Sequence, residues 1–298
     1  MSGAAGAHLA PWAHVLVGVL VAVGMLVVVP LGLRLVDRAC PVWLTRWWSA
    51  GAGAGAVALW LPRGWPAAAL AAGYVTATGA LLTRIASATA IAGRLRHGRL
   101  PGARDVAVGT ALAAPTVAGT SLVAERAGYR LFGFDLDVLA LTVAHFHYAG
   151  FAAALVAGLV CRLAPGGRAG SAAALSVPAG TAIVFAGYFT GDEVELAGAV
   201  VLTGGMWLVA RSIWRQARPA GPDPLTRTLL AVCALVLAAT MLLAVDWALG
   251  EATGAAHLPL SWMVATHGVA NALGFALCGL LAWRRLPVGP VRPAAAAA

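Results

Sequence analysis

The chain has 298 residues, of which 61% are hydrophobic and only 10% charged, and it carries a formal net charge of +9. Charged residues make up about 25% of an ordinary soluble domain, so the composition excludes a water-soluble globule and points to a membrane-embedded protein. The basic excess is spread through short loops rather than gathered in one patch, which argues against a nucleic-acid partner.

Apolar stretches of about 18 residues or more read as transmembrane helices. Nine are expected in chain order: Trp12–Leu33, Leu44–Leu61, Pro66–Thr83, Val106–Ala124, Val138–Cys161, Ser171–Thr190, Leu196–Ile213, Leu225–Leu249 and Leu258–Trp283. In the second, Ala and Gly alternate from Ala50 to Ala56, a pattern that close helix packing in a membrane explains. The longest polar connection runs from Arg84 to Arg104. No basic residue precedes the first span and no processing site follows it, so it is not a cleavable signal peptide. The expected fold is all-α, a polytopic transmembrane helix bundle. It forms one integral membrane domain over residues 1–285, with a disordered Pro/Ala-rich tail over 286–298.

All twenty basic residues are Arg, and basic residues accumulate in short cytoplasmic loops. With the N-terminus outside and nine spans, seventeen Arg fall inside and only Arg63, Arg126 and Arg130 fall outside. The expected topology is therefore N-out and C-in, multi-pass in the cell membrane. Cys40, Cys161, Cys233 and Cys278 then lie toward the cytoplasm, where free thiols rather than disulfides are expected. Eight of the eleven acids take the opposite side, among them Glu125, Asp137, Glu195, Asp246 and Glu251. Either an outward-facing site or the simple capping of helix N-termini explains that bias.

Ionisable residues inside a span usually face the bundle interior and mark a site. In the fifth span, His145-Phe146-His147-Tyr148 begins eight residues from the outer end, a depth of about 12 Å. His267 lies at a similar depth in the ninth span, and Asn271, four residues on, shares its face. Asp246 sits near the outer end of the eighth span. These residues define an expected polar pocket with Asp246, His267, His145, Asn271 and Glu125 as catalytic candidates. His147, Tyr148, Tyr188, Glu195 and Trp247 are candidates for contact with substrate. His145 and His147 diverge by about 200° on a regular helix, so one is expected in the pocket and the other against a neighbouring helix; the spacing leaves open which. No HxxxH or HExxH spacing, phosphate loop, Ser elbow or haem motif occurs, and no cofactor or metal is expected.

The segments His145-Phe146-His147-Tyr148-Ala149-Gly150-Phe151 and His267-Gly268-Val269-Ala270-Asn271-Ala272-Leu273-Gly274-Phe275 resemble the YndJ-like family of bacterial polytopic membrane proteins. The resemblance covers most of the hydrophobic region. Some members are called transporters, and longer relatives are expected to carry a C-terminal part beyond this sequence. By organisation alone, the chain is also similar to the integral membrane terpene cyclases.

Three function classes fit. The first is a membrane enzyme acting on a lipid or isoprenoid by proton-initiated, cyclase-like acid–base chemistry, with Asp246 or Glu125 as the acid. The second is a YndJ-like transporter or proton-coupled carrier. The third is an outer-leaflet zinc hydrolase or sensor. Partners common to all are the lipid bilayer and an apolar small molecule, with no nucleic acid.

Overall fold

The computed structural model describes residues 8–36, 42–89, 91–162, 167–217 and 223–286. Cys40 and the tail beyond Leu286 lie outside these residues. Every regular element among them is helical, with no strand, as lipid requires: only a helix satisfies every main-chain N–H and C=O within one segment. In chain order the helices are α1 (Pro11–Val36), α2 (Val42–Ala58), α3 (Trp65–Ala88), the short α4 (Ile91–Arg96), α5 (Ala103–Ala127), α6 (Leu136–Val160), α7 (Arg168–Thr190), α8 (Asp192–Ala217), α9 (Pro224–Thr253) and α10 (Leu260–Arg285). Eight are long and apolar enough to cross a bilayer, and the chain is a multi-pass membrane protein. The helix α2 has 17 residues, at the low end of about 17–25 for a crossing.

The first two helices run antiparallel. Trp60, just past α2, packs over Gly18 of α1, and Trp48 donates to the Met25 carbonyl at 3.0 Å. The helix α2 therefore runs back along α1, and it is not among the eight helices long and apolar enough to cross a bilayer, where the sequence led to nine. It ends earlier than its apolar run because Pro62 follows, and because Arg126 at the end of α5 donates to the Leu59 and Leu61 carbonyls at 3.1 and 3.3 Å. The Ala/Gly run does pack closely. A Cβ on Gly51 would lie 2.4 Å from the Ala77 methyl, and one on Gly55 would lie 3.0 Å from Tyr74. The small residues of α2 thus seat Tyr74 of α3.

A one-residue turn at Gly191, with φ at 142°, joins α7 to α8. The two helices touch backbone to backbone at Gly180, Gly187 and Gly198. The central helix is α6, buried at every residue from 150 to 160. Cys161, Cys233 and Cys278 are free thiols.

At the opposite end of the bundle from Arg126, Asp223 caps α9. It accepts from the Thr226 hydroxyl at 2.6 Å and main chain at 3.2 Å, while Arg285 of α10 donates to Asp223 at 3.1 Å and to the Thr226 hydroxyl at 2.9 Å. The Thr226 hydroxyl, with Arg285 behind it, holds the Asp223 carboxyl down at about 2. A lowered carboxylate stabilises the fold above its ordinary range and loses that contribution as pH falls through its folded value. Asp223→Asn should therefore lower the melting temperature at neutral pH. The deficit should narrow as pH drops below about 4, the ordinary carboxylate value. Melting curves of both proteins across that range check it.

Candidate functional site

Three helices depart from regular α-geometry, and they do so where they meet. The helix α1 widens to π-helical turns at Gly24–Val28, α6 at Phe146–Ala153, and α10 at Val264–Gly268 and again at Ala270–Leu277. The wide turns of α1, α6 and α10 touch one another. Such turns shift the hydrogen-bond ladder from i−4 to i−5 and recur at functional sites. Side chains around them bond main-chain carbonyls directly. Tyr148 donates to Leu20 at 2.7 Å, Trp48 to Met25, and His267 to Thr240 at 2.9 Å.

The two histidines of α6 have different surroundings. His147 is fully buried against Gly24, where an added Cβ would lie 2.9 Å from the His147 side chain. Its Nδ1 lies 2.7 Å from the Val143 carbonyl. A carbonyl only accepts, so Nδ1 carries the proton and Nε2 presents a lone pair. The Tyr74 hydroxyl donates to that lone pair at 2.5 Å, with the two rings stacked at 5.7 Å and Trp48 edge-on to Tyr74 at 5.6 Å. His147 and Tyr148 are thus struts that fasten α6 to α3 and α1. Tyr74→Phe would leave a buried Nε2 without a donor, at a cost of about 1–3 kcal/mol. The Tyr74→Phe/His147→Leu protein, with both polar groups removed, should unfold at a higher temperature than the sum of the single effects predicts. Thermal unfolding of the three variants measures this.

His145 is exposed although α6 is buried beyond it. Its Nδ1 donates to the Leu141 carbonyl at 2.9 Å. His267 in α10 is half-buried, and a wide turn of α10 touches that of α6. Asn271 clamps the α10 side of this site. Its amide donates to the His267 carbonyl at 2.9 Å, and its Oδ1 accepts from the Thr240 hydroxyl at 3.0 Å. Both imidazoles donate through Nδ1 to a carbonyl, so both Nε2 atoms carry a lone pair, and neither has a protein partner among the described residues. Each Nε2 can therefore accept a hydrogen bond or a proton.

The carboxylates expected here lie elsewhere. Asp246 is exposed and has no partner among the described residues. It follows Thr240 by six residues, which turns it about 120° away from the face Thr240 offers to His267. Glu125 is buried at the end of α5 and is claimed by Arg63, at 2.9 Å, and by Arg126. Tyr188, Glu195 and Trp247 belong to a separate cluster at the rim of α7, α8 and α9. Tyr188 is exposed, its ring edge-on to Phe134 at 5.8 Å. Glu195 packs against Gly187 of α7, Glu251 pairs with His257 at 3.1 Å, and the His257 ring stands edge-on to Trp247 at 5.9 Å.

Thr240 completes the site and Tyr74 and Trp48 brace His147 beside it, and sequence reasoning missed all three. Thr240 was detectable as a lone hydroxyl between Leu235 and Val245. Among the described residues no three His, Cys, Asp or Glu gather as metal ligands, which leaves the zinc hypothesis without a donor set there.

A family model described as YndJ-like protein matches residues 19–275. No curated protein and no solved structure matches the chain.

Proposed function

This chain belongs to the YndJ-like family, and we propose that it is a cell-membrane enzyme that moves a proton within a lipid-soluble substrate, with His145 and His267 as the acid–base pair. One observation supports this reading: two imidazoles on helices whose wide turns touch, each oriented by an Nδ1 bond to a main-chain carbonyl, have Nε2 lone pairs left open among the described residues. With one imidazole of the pair protonated from water, the neutral one takes a proton from one atom of the substrate and the protonated one delivers a proton to another atom, so the pair ends with its charge exchanged and its proton count unchanged. The net change is an isomerisation that needs no nucleotide, oxidant or metal. Oriented general acid–base groups of this kind contribute about 100- to 10,000-fold. Asn271 and Thr240 would hold the His267 ring in place, and the surrounding apolar helices suit a substrate that arrives from the bilayer.

The cyclase-like variant of this idea needs a neutral carboxylic acid in a dry pocket. Neither Asp246, turned away and exposed, nor Glu125, held between two guanidinium groups, answers that description. Imidazole chemistry replaces it in the proposal.

Purified protein in bacterial polar lipid nanodiscs, incubated in deuterium oxide, tests this whichever lipid is the substrate. Deuterium should enter carbon positions of at least one lipid species, read by mass spectrometry, and should not enter with His145→Ala or His267→Ala. No incorporation by the unmodified chain, or equal incorporation by both variants, would sink the proposal.

A further inference from the structure

At the end of the bundle that holds Asp223, the connection between α3 and α5 forms an open groove of about 600 Å³ lined by Ala86, Thr89, Gly93, Arg94, Arg96, His97 and Arg99. The short helix α4 closes on Gly98, whose φ of 65° is left-handed. The Gly98 N–H donates to the Leu95 carbonyl at 3.0 Å and the Arg99 N–H to the Arg94 carbonyl at 2.8 Å. This paired closure is the Schellman motif, and it fixes the backbone from which the three arginines project. Asp105 engages Arg94 at 3.6 Å and Arg104 at 3.9 Å. Arg96 and Arg99 are exposed and have no partner among the described residues. Between residues 94 and 105, four Arg face one Asp, so the groove carries a positive excess.

Two further observations place the groove at headgroup level. It begins at Ala86, the last residue of the apolar span of α3, and exposed Leu82 lies one turn earlier on the same face. Leu95 and Leu100, exposed by 57% and 85%, alternate with the arginines. Leucines so exposed suit the acyl boundary, while the guanidinium groups beside them suit phosphate oxygens, which they bind in a planar fork.

We propose that the α4 groove binds the phosphate headgroup of an anionic phospholipid, whose acyl chains run down the Leu82 face of α3. Arg96 and Arg99 are the principal anion ligands. Arg94 is shared with Asp105, and clusters of this kind at the end of a span are attracted to anionic leaflets.

The full chain, purified in a non-ionic detergent, is titrated with short-chain phosphatidylglycerol while its melting temperature is followed. Parallel titrations use short-chain phosphatidylcholine and inorganic phosphate. A saturable rise is expected with phosphatidylglycerol alone. Arg96→Gln/Arg99→Gln should weaken the apparent affinity about 10-fold or more. Arg96→Lys/Arg99→Lys should keep part of the response, which separates ligand loss from misfolding. Arg211→Gln, an exposed charge elsewhere at the same end, should keep all of it. An equal rise with phosphatidylcholine, an equal rise with inorganic phosphate, or a full response from the double Gln variant would each overturn the proposal.

Discussion

His267→Ala is expected to lower the rate of deuterium incorporation per folded molecule by about 100- to 10,000-fold, and His145→Ala by a similar factor. In the proposed chemistry the two imidazoles act as donor and acceptor of one proton transfer, so removing either leaves the other without a partner step. The double variant should therefore be scarcely slower than either single one, as for catalytic groups that work as a unit. Product of the two separate factors in the double variant would mean that the histidines act independently. His147→Ala is the contrasting case. Its Nε2 is occupied by the Tyr74 hydroxyl and its ring is fully buried, so it should lower the melting temperature rather than the rate per folded molecule. Asn271→Ala should fall between, because it frees the Thr240 hydroxyl and the His267 carbonyl without removing a proton-carrying group. A lower rate with an unshifted melting temperature would mark it as a positioning residue.

The helices were legible in the sequence because a lipid environment forces the main chain to satisfy itself, so the length of an apolar run reports a helix directly. The expected spans match the helices to within a few residues at most ends. The exceptions arise from partners distant in sequence. The helix α2 ends at Ala58 because Arg126 captures the carbonyls beyond it, and that contact crosses more than sixty residues. The polar connection expected from Arg84 to Arg104 contains α4, whose closure depends on Gly98. The site was legible in part. The polar residues His145, His267 and Asn271 stand out against apolar runs; His145 immediately precedes the wide turn of α6, and the other two lie in those of α10. The direction in which Asp246 points depends on how α9 sits against α10, which no local spacing encodes. Regular helical geometry separates His145 from His147 but does not announce the wide turn that begins at Phe146. That turn arises where α6 meets α1 at Gly24, a tertiary contact.

Glu125→Gln is expected to destabilise the protein by about 3–5 kcal/mol, the usual cost of removing one partner from a buried ion pair. Only 2% of the Glu125 side chain is exposed, and Arg126 beside it is exposed by 13%. With the charge gone, the Arg126 guanidinium keeps only neutral acceptors among the described residues, the new amide oxygen and the Leu59 and Leu61 carbonyls. Those carbonyls belong to the segment that turns α2 into α3, and the Gly64 N–H closes the same junction by donating to the Arg126 carbonyl at 2.8 Å. Loss of the charge should therefore loosen α2 and α3, and with them Tyr74 and the brace on His147. Arg63, 41% exposed on the other side of the carboxylate, is the internal control: Arg63→Gln should cost no more than about 1 kcal/mol, as exposed ion pairs do. Unfolding of the three proteins in one detergent, by heat and by denaturant, orders these effects. Deuterium incorporation per folded molecule should be unchanged in Glu125→Gln, since the carboxylate serves the fold and not the proton transfer. A Glu125→Gln protein with normal stability and no incorporation would reverse that assignment and return Glu125 to the chemistry.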